Sequence, residues 1–588
     1  MPQRSSHSHQ NSIDDNPWLA GFFIAVFVFL GFFVLSRRYH ISTVQWVEAG
    51  VYIILLLASI WLLFAWRSLD RNRDREPFRM PLDQDELEVE KAADQGAVLL
   101  GYTLDKAPVI WTDRTRAMQA LLCGMNGSGK TTMLENIVSQ DLKRMVGPPG
   151  KRRHLPMVIF DGKGDAKFLD KMLPHIHRAG RMGQLRIIAP SRPEICARYN
   201  PFFAPDGRYM ERVNMVFGSF SMRRDFFTKH QFDYLSNIVR ILYYTGRRYN
   251  FYDVIVIMHD EIVLREQIAI AEQELARNGN VTAQSRLNFE MSVRTLLQSF
   301  EDRERVPKIQ GLINECMTFT DDDLAAITSH YDDLFCVEEV VENDLILLVS
   351  LNANRNTDAV ISLGRMILQN IQLTIGKLYE DLEKLDDPHR PLFSVILDEF
   401  PAFSYKNFAH IQNTARGSKT GFLFSMQAVP QLDDVARGFR ESVTGAGVTT
   451  MMYRIKDEDT AKFFLRASAE QKVKSRTVQV QKPIFGKFRE TGVATESDKY
   501  ETRSKDFSIK NLPIGRFEML MGDDSIGMIH TTVQGRLPTP TEIPGFKPEP
   551  FCALKLEQTP NLGAHLRFKD ANAQKEFKAK RKEFQFKR

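Results

Sequence analysis

Gly124-Met125-Asn126-Gly127-Ser128-Gly129-Lys130-Thr131 fits the pattern G-x-x-x-x-G-K-[ST] with no mismatch. Its flanks agree with it. Met118 to Cys123 reads as a short buried strand, and Thr132 to Val138 has the spacing of an amphipathic helix. A strand, a glycine-rich turn and a helix N-terminus together aim backbone N–H groups at one point, where a polyphosphate can sit. A Cβ would block that close approach, which accounts for the glycines. Gly124, Met125, Asn126, Gly127, Ser128, Gly129, Lys130, Thr131 and Thr132 are the expected nucleotide-binding residues. Lys130 is placed to reach the β- and γ-phosphates, and Thr131 to offer its hydroxyl to Mg²⁺. ATP and Mg²⁺ are the expected cofactors.

Working outward, Met157-Val158-Ile159-Phe160 reads as a buried strand ending at Asp161. That end lies about thirty residues beyond Lys130, the length of a βαβ unit, so a parallel neighbour is expected. Far downstream, Leu392-Phe393-Ser394-Val395-Ile396-Leu397-Asp398-Glu399 is an apolar strand ending in two acids, the Walker B arrangement. Asp398 is expected in the Mg²⁺ shell, and Glu399 beside the attacking water. A further strand, Gly421 to Met426, ends at Gln427, where a γ-phosphate sensor would sit. Arg416 and Lys419 precede that strand. Either could stabilise transition-state charge on a neighbouring subunit's nucleotide, and a solvated arginine remains the alternative.

The 588 residues are too many for one core, so two or more domains are expected. With 43% hydrophobic and 26% charged residues, most of the chain should fold. A net charge of +5 says little about partners. The five cysteines are far apart and form no CxxC pair, which argues against a disulfide framework or a zinc site and fits a reducing compartment.

Residues 1–16 read as a polar arm. Two apolar runs follow within 17–66, Trp18 to Leu35 and Val51 to Trp66, each close to the length of a membrane helix. Arg67, Arg71, Arg73 and Arg75 follow the second run, against Arg37 and Arg38 between the two. The expectation is a transmembrane hairpin with both termini in the cytoplasm. A linker occupies 67–95 and the first part of the nucleotide-binding domain 96–205. Helical periodicity then dominates 206–333, an expected all-α insertion, before the nucleotide-binding domain resumes over 334–545. The tail, 546–588, carries nine Lys/Arg against three acids from Arg567 onward, with Phe568, Phe577, Phe584 and Phe586 interleaved. It could track nucleic-acid phosphates, meet lipid, dock on a partner or stay solvated.

Taken together these parts resemble the type IV coupling proteins, the ATPases of conjugation and type IV secretion. Asp161-Gly162-Lys163-Gly164-Asp165 resembles that family's D-P-K-G-E motif, with Gly for Pro and Asp for Glu. Asn200-Pro201-Phe202, Arg454 with Asp457 and Thr460-Ala461, and Leu512-Pro513-Ile514-Gly515 resemble further family stretches. Arg416 and Gln427 fall at the family's spacing after the acids. The short connection between the apolar runs departs from the family.

The resemblance implies a RecA-like P-loop NTPase fold, a parallel sheet with an inserted all-α domain behind a two-helix transmembrane hairpin. It implies catalytic roles for Lys130, Glu399, Arg416 and Gln427, nucleotide contact at Asp161, and metal binding at Thr131 and Asp398. It also implies a homo-hexamer at the bacterial inner membrane that takes a relaxase–single-stranded DNA complex, or effector proteins, to a type IV secretion channel. An FtsK/HerA-like DNA translocase, and a membrane receptor that uses ATP only for assembly, are the alternatives.

Overall fold

The computed structural model describes Ser59 and residues 78–539, apart from 165, 223–226, 278–280, 321, 353–356, 382, 384–385, 446–448, 469, 482–488, 503–505 and 524–526. The chain divides into two compact units, Met1–Phe78 and Arg79–Arg588. The polar arm, both apolar runs apart from Ser59, and the basic tail lie outside the described residues.

The second unit is built on one sheet of eleven strands. In chain order these are β1 (Ala97–Thr103), β2 (Pro108–Thr112), β3 (Ala120–Cys123), β4 (Met157–Asp161), β5 (Leu185–Ile188) and β6 (Ile346–Ser350). They continue with β7 (Phe393–Asp398), β8 (Thr420–Met426), β9 (Thr449–Met452), β10 (Arg516–Asp523) and β11 (Gly527–Gly535). The spatial order is β2-β1-β11-β10-β9-β3-β8-β7-β4-β6-β5.

From β9 to β5 every neighbour is parallel, whereas β10, β11, β1 and β2 are joined antiparallel. The sheet is therefore mixed, a correction to the parallel sheet expected from the sequence. The physical difference is burial. Every residue of β3, β4, β6, β7 and β8 is buried, as strands covered on both faces require, and their sequences are near-continuous apolar runs. The added flank pairs by hairpins, and β2 at the edge is partly exposed. Strand β3 also starts later than expected. Gln119 takes a left-handed φ of 72° and its N–H closes a turn onto the Arg116 carbonyl, so Met118 and Gln119 stay out of the strand.

The helix Lys130–Asp141 packs on β1 through polar side chains. Gln140 Oε1 accepts from the Leu99 N–H at 2.8 Å, and Asn136 Nδ2 donates to the Leu99 carbonyl at 2.9 Å. On the side of β1 away from β2, pairing with β11 begins only at Gly101, which leaves the Leu99 main-chain groups to the helix. At the helix's other end Asp141 is fully buried. Arg116 donates to it at 2.8 Å and Arg144 at 3.0 Å, and Ser394 near the start of β7 donates to it at 3.2 Å. One buried carboxylate thus ties the end of this helix to the strand that carries Asp398.

The expected helical insertion is present between β5 and β6, in helices from Tyr209–Ser219 to Asp322–Thr328. Asn200, at its entry, ties together a turn in its middle and its exit. Its Nδ2 donates to the Tyr249 carbonyl at 2.8 Å and to the His330 carbonyl at 3.2 Å, while its Oδ1 accepts from Phe202 N–H at 3.0 Å. The long helix after β6, Thr357–Glu380, stops where Glu380-Asp381 begins an acidic run, which opposes the negative end of the helix dipole.

The expectation of a multi-pass membrane protein is not supported and is corrected here. Among the described residues no helix is long and apolar enough to cross a membrane. Apart from Ser59, the two apolar runs on which the expectation rested lie outside the described residues.

Candidate functional site: a nucleotide-binding sheet edge

Register brings the strand ends together. Ser350, Asp161 and Asp398 are partners across β6, β4 and β7, while Met426 pairs with Cys123 across β8 and β3. The loop Gly124–Thr131, the acids and Gln427 therefore line the same carboxyl edge of the sheet, where α/β folds bind ligands.

The loop is held from below by distant segments. Met125 N–H donates to the Arg454 carbonyl at 2.9 Å, and Gly515 N–H to the Ser128 carbonyl at 2.9 Å. A Cβ on Gly124 would sit 2.6 Å from Tyr453 Cβ, and one on Gly129 3.2 Å from the Gly515 backbone. Gly129 also has φ 112°, a left-handed value that lets the helix begin at Lys130. Asn126 and Gly127 are exposed at the tip, with Ser128 and Lys130 buried and Met125, Thr131 and Thr132 half-buried. The Lys130 ammonium donates to the Gly124 carbonyl. Burial holds that ammonium below the ordinary lysine range and Lys163 pushes the same way, while Glu399 and Asp398 pull it back.

Two buried polar atoms around the loop, Ser128 Oγ and Arg454 Nε, make no hydrogen bond among the described residues. With the exposed glycine tip and a desolvated lysine, this is a donor set suited to a polyphosphate. A nucleotide fits the residues present.

Opposite the loop, Asp398 is buried, and its Oδ1 accepts from Ser425 Oγ at 2.6 Å and from the Glu399 N–H at 3.1 Å. Glu399 itself takes φ 52°, an uncommon conformation for a non-glycine residue that turns its side chain off the strand end. Its Oε1 accepts from Gln427 Nε2 at 3.1 Å and lies 3.0 Å from Lys163 Nζ. Gln427 is steadied in turn, since Gln431 Oε1 accepts from its N–H at 3.2 Å. Asp161 points its oxygens inward along the edge, accepting from Ser350 Oγ at 3.1 Å and from Lys163 N–H at 3.0 Å. Thr131 and Asp398 are the residues that could hold Mg²⁺.

Arg416 and Lys419 are not brought to this edge. They precede β8, whose seven residues at about 3.3 Å each put them roughly 20 Å from Gln427. Arg416 is exposed. Lys419 is committed to its own chain, its Nζ donating to the carbonyls of Pro388 at 3.1 Å and Arg390 at 3.4 Å.

Sequence reading missed Lys163, Ser425 and Ser350 as site residues. Lys163 carried a signal, as a lysine two residues past a buried strand end. The two serines carried none, because only the strand order makes them neighbours of the acids. Asp165, the last position of that motif, lies outside the described residues.

The sequence matches the family model described as type IV secretory system conjugative DNA transfer over residues 153–505, more than half of the chain. Among solved structures, the bacterial conjugative coupling protein TrwBdeltaN70 in its unbound monoclinic form is 13% identical with a TM-score of 0.52, covering 77% of this chain and 93% of its own. The plasmid coupling protein TrwB in complex with ADP and Mg²⁺ is 15% identical, with a TM-score of 0.46 and coverage of 75% and 89%. VirB4 of Thermoanaerobacter pseudethanolicus is 10% identical, with a TM-score of 0.43 and coverage of 75% and 97%. No curated protein sequence matches the chain. The first of these structures shares the RecA-like fold, and the family match reaches both the Asp161 and the Asp398 strands. The chain is a P-loop ATPase with a nucleotide-driven role in DNA transfer, and it belongs to the type IV secretory system conjugative DNA transfer family.

Proposed function

We propose that this ATPase recruits a relaxase–single-stranded DNA complex, or effector proteins, and drives it into a type IV secretion channel by ATP hydrolysis. The observation that carries the reading is the meeting of Glu399, Gln427 and Lys163 opposite the loop that holds Lys130. A protein that only bound nucleotide would have no use for a carboxylate held in this way.

In the reaction, residues 124–132 cradle the phosphates and Lys130 Nζ moves from the Gly124 carbonyl to the β- and γ-phosphate oxygens. Asp161 borders the same phosphates. Thr131 and Asp398 would hold Mg²⁺, which when bound would supply charge neutralisation for the phosphates. Glu399 orients water and takes its proton as the water oxygen bonds to the γ-phosphorus and the bond to the bridging oxygen breaks, giving ADP and inorganic phosphate. Gln427 fixes Glu399 and reports the γ-phosphate to β8. Because Arg416 is exposed at the far edge, it acts on the nucleotide of the next subunit, which requires a ring, and we propose six subunits.

The test is ATP turnover by the purified full chain with single-stranded DNA, double-stranded DNA or none, with Lys130→Ala as blank. A rise with single-stranded DNA that is absent in the blank supports the reading. A response to double-stranded DNA alone favours an FtsK/HerA-like translocase. Turnover that ignores all DNA and rises with a protein substrate leaves an exporter of proteins.

A further inference from the structure

Lys163 is built into the site more firmly than a surface lysine needs to be. It lies between two glycines that the packing demands. A Cβ on Gly162 would come within 2.8 Å of the Phe403 ring and 2.9 Å of the Asp398 carbonyl, and Gly164 has φ 60° with Asn352 N 2.5 Å from where its Cβ would be. The backbone can press against the end of β7 at Gly162, and against Asn352 past the end of β6 at Gly164, only with glycine at these places. Asp161, whose Oδ2 accepts from Ser350 Oγ at 3.1 Å, then fixes the Lys163 N–H through Oδ1 at 3.0 Å. The result is an ammonium 3.0 Å from Glu399 and 3.9 Å from Asp398.

Gln427 Nε2 and Lys163 Nζ converge on the same oxygen, Glu399 Oε1. Two donors on Oε1 set the plane of the carboxylate and leave Oε2 for water. Glu399 takes a left-handed backbone conformation that is uncommon for a non-glycine residue, and such a conformation persists only where surrounding contacts hold it. A lone exposed ion pair would do little, but here one partner is only 12% exposed and the other is fixed by its main chain.

The geometry points to Lys163 as a positioning residue for ATP hydrolysis, acting through Glu399 by holding its carboxylate toward the attacking water. This rests on the role proposed above for Glu399. Three cations and donors then share the work at the γ-phosphate side, with Lys130 on the phosphates and Lys163 and Gln427 on the carboxylate.

The experiment is steady-state ATPase kinetics on the full chain for Lys163→Met, Lys163→Arg and Glu399→Gln, and for Lys163→Met combined with Glu399→Gln. Lys163→Met is expected to lower kcat about 10- to 100-fold, as loss of an outer partner of a working group does, with KM for ATP within about twofold. Lys163→Arg, which keeps a charged donor, is expected to recover most of that loss. In the Glu399→Gln background Lys163→Met should cost nothing further, because a residue that works through another cannot be lost twice. Wild-type kcat in Lys163→Met, a raised KM at unchanged kcat, or losses that multiply in the double variant each overturn the proposal. If Lys163→Met does not fold, Lys163→Leu, which likewise has no donor, is read in the same way. Full turnover by Glu399→Gln would instead sink the role of Glu399, whatever Lys163 does.

Discussion

Gln427 Nε2 donates to Glu399 Oε1 at 3.1 Å, although 28 residues separate the two in the chain. Each stands one residue past the end of a strand, β8 and β7, and those strands are parallel neighbours. The pair therefore exists because of strand order. Gln427→Ala removes one of the two donors on the carboxylate and leaves the phosphate loop untouched. We expect kcat to fall about tenfold with little change in KM, the pattern of a group that matters in the transition state. Gln427→Glu should be worse, because it sets two carboxylates against each other at hydrogen-bond distance. Steady-state kinetics on the two variants checks both.

A second prediction concerns Gly162, where the sequence has glycine and the family motif it resembles has proline. The missing side chain leaves space occupied by Phe403, the Asp398 carbonyl and Glu399 Cβ, all within 3.1 Å of an added Cβ. Gly162→Ala has to displace backbone of β7, and overpacking of this kind costs about 1–3 kcal/mol. Thermal unfolding should move down, and ATPase activity should fall further than stability does, because the shift is transmitted to Glu399. Gly183→Ala, where an added Cβ meets nothing within 4 Å, is the control and should leave both unchanged.

How much of this was legible in the sequence follows from the range of each signal. The loop at Gly124–Thr131 and the acids at Asp398 and Glu399 are local patterns beside apolar runs, so their strands and helix were readable. The flank of the sheet was not. Strands β10 and β11 alternate polar and apolar residues, as in Arg516-Phe517-Glu518-Met519, and nothing local says that they add antiparallel to β9 and β1. Lys163 was visible as part of a motif, yet its contact with Glu399 depends on the parallel pairing of β4 with β7. Arg416 and Lys419 looked equivalent. They separate only in three dimensions, where Lys419 is held by its own chain's carbonyls.

The Asn200 staple yields a third prediction. Its amide holds the main chain at Tyr249, in a turn within the insertion, and at His330, at its exit, from a buried position. Asn200→Ala leaves two buried carbonyls and one N–H without partners, each costing about 1–3 kcal/mol less whatever relaxation recovers. The insertion should become more open to limited proteolysis between residues 206 and 333. Nucleotide binding should survive, since no Asn200 contact reaches the loop. Protease mapping with and without nucleotide separates the two effects.

The last prediction is a pH dependence with a defined sign. Burial alone would push the Asp141 carboxyl upward, but Arg116, and then Arg144, outweigh it and hold the carboxyl below its ordinary range. A group whose pKa is lower folded than unfolded stabilises the fold above its unfolded value and loses that contribution as pH falls through the folded one. The unfolded value for Asp is about 3.9, so the stabilisation from Asp141 is complete near neutrality and is lost progressively below about pH 4. Glu338 behaves alike, with burial opposing and Arg212 and Lys377 prevailing. Asp141→Asn keeps the shape but leaves Arg116 and Arg144, both buried, facing a neutral amide, and breaking a buried pair in this way costs about 3–5 kcal/mol. Denaturant midpoints measured from pH 7 down to pH 3 should fall steeply below pH 4 in the parent. In Asp141→Asn they should start lower and fall less, because the proton that Asp141 would take up is no longer part of unfolding. A variant with the same midpoint at pH 7 as its parent would show that the Arg116–Asp141–Ser394 contact does not hold the phosphate-loop helix to β7.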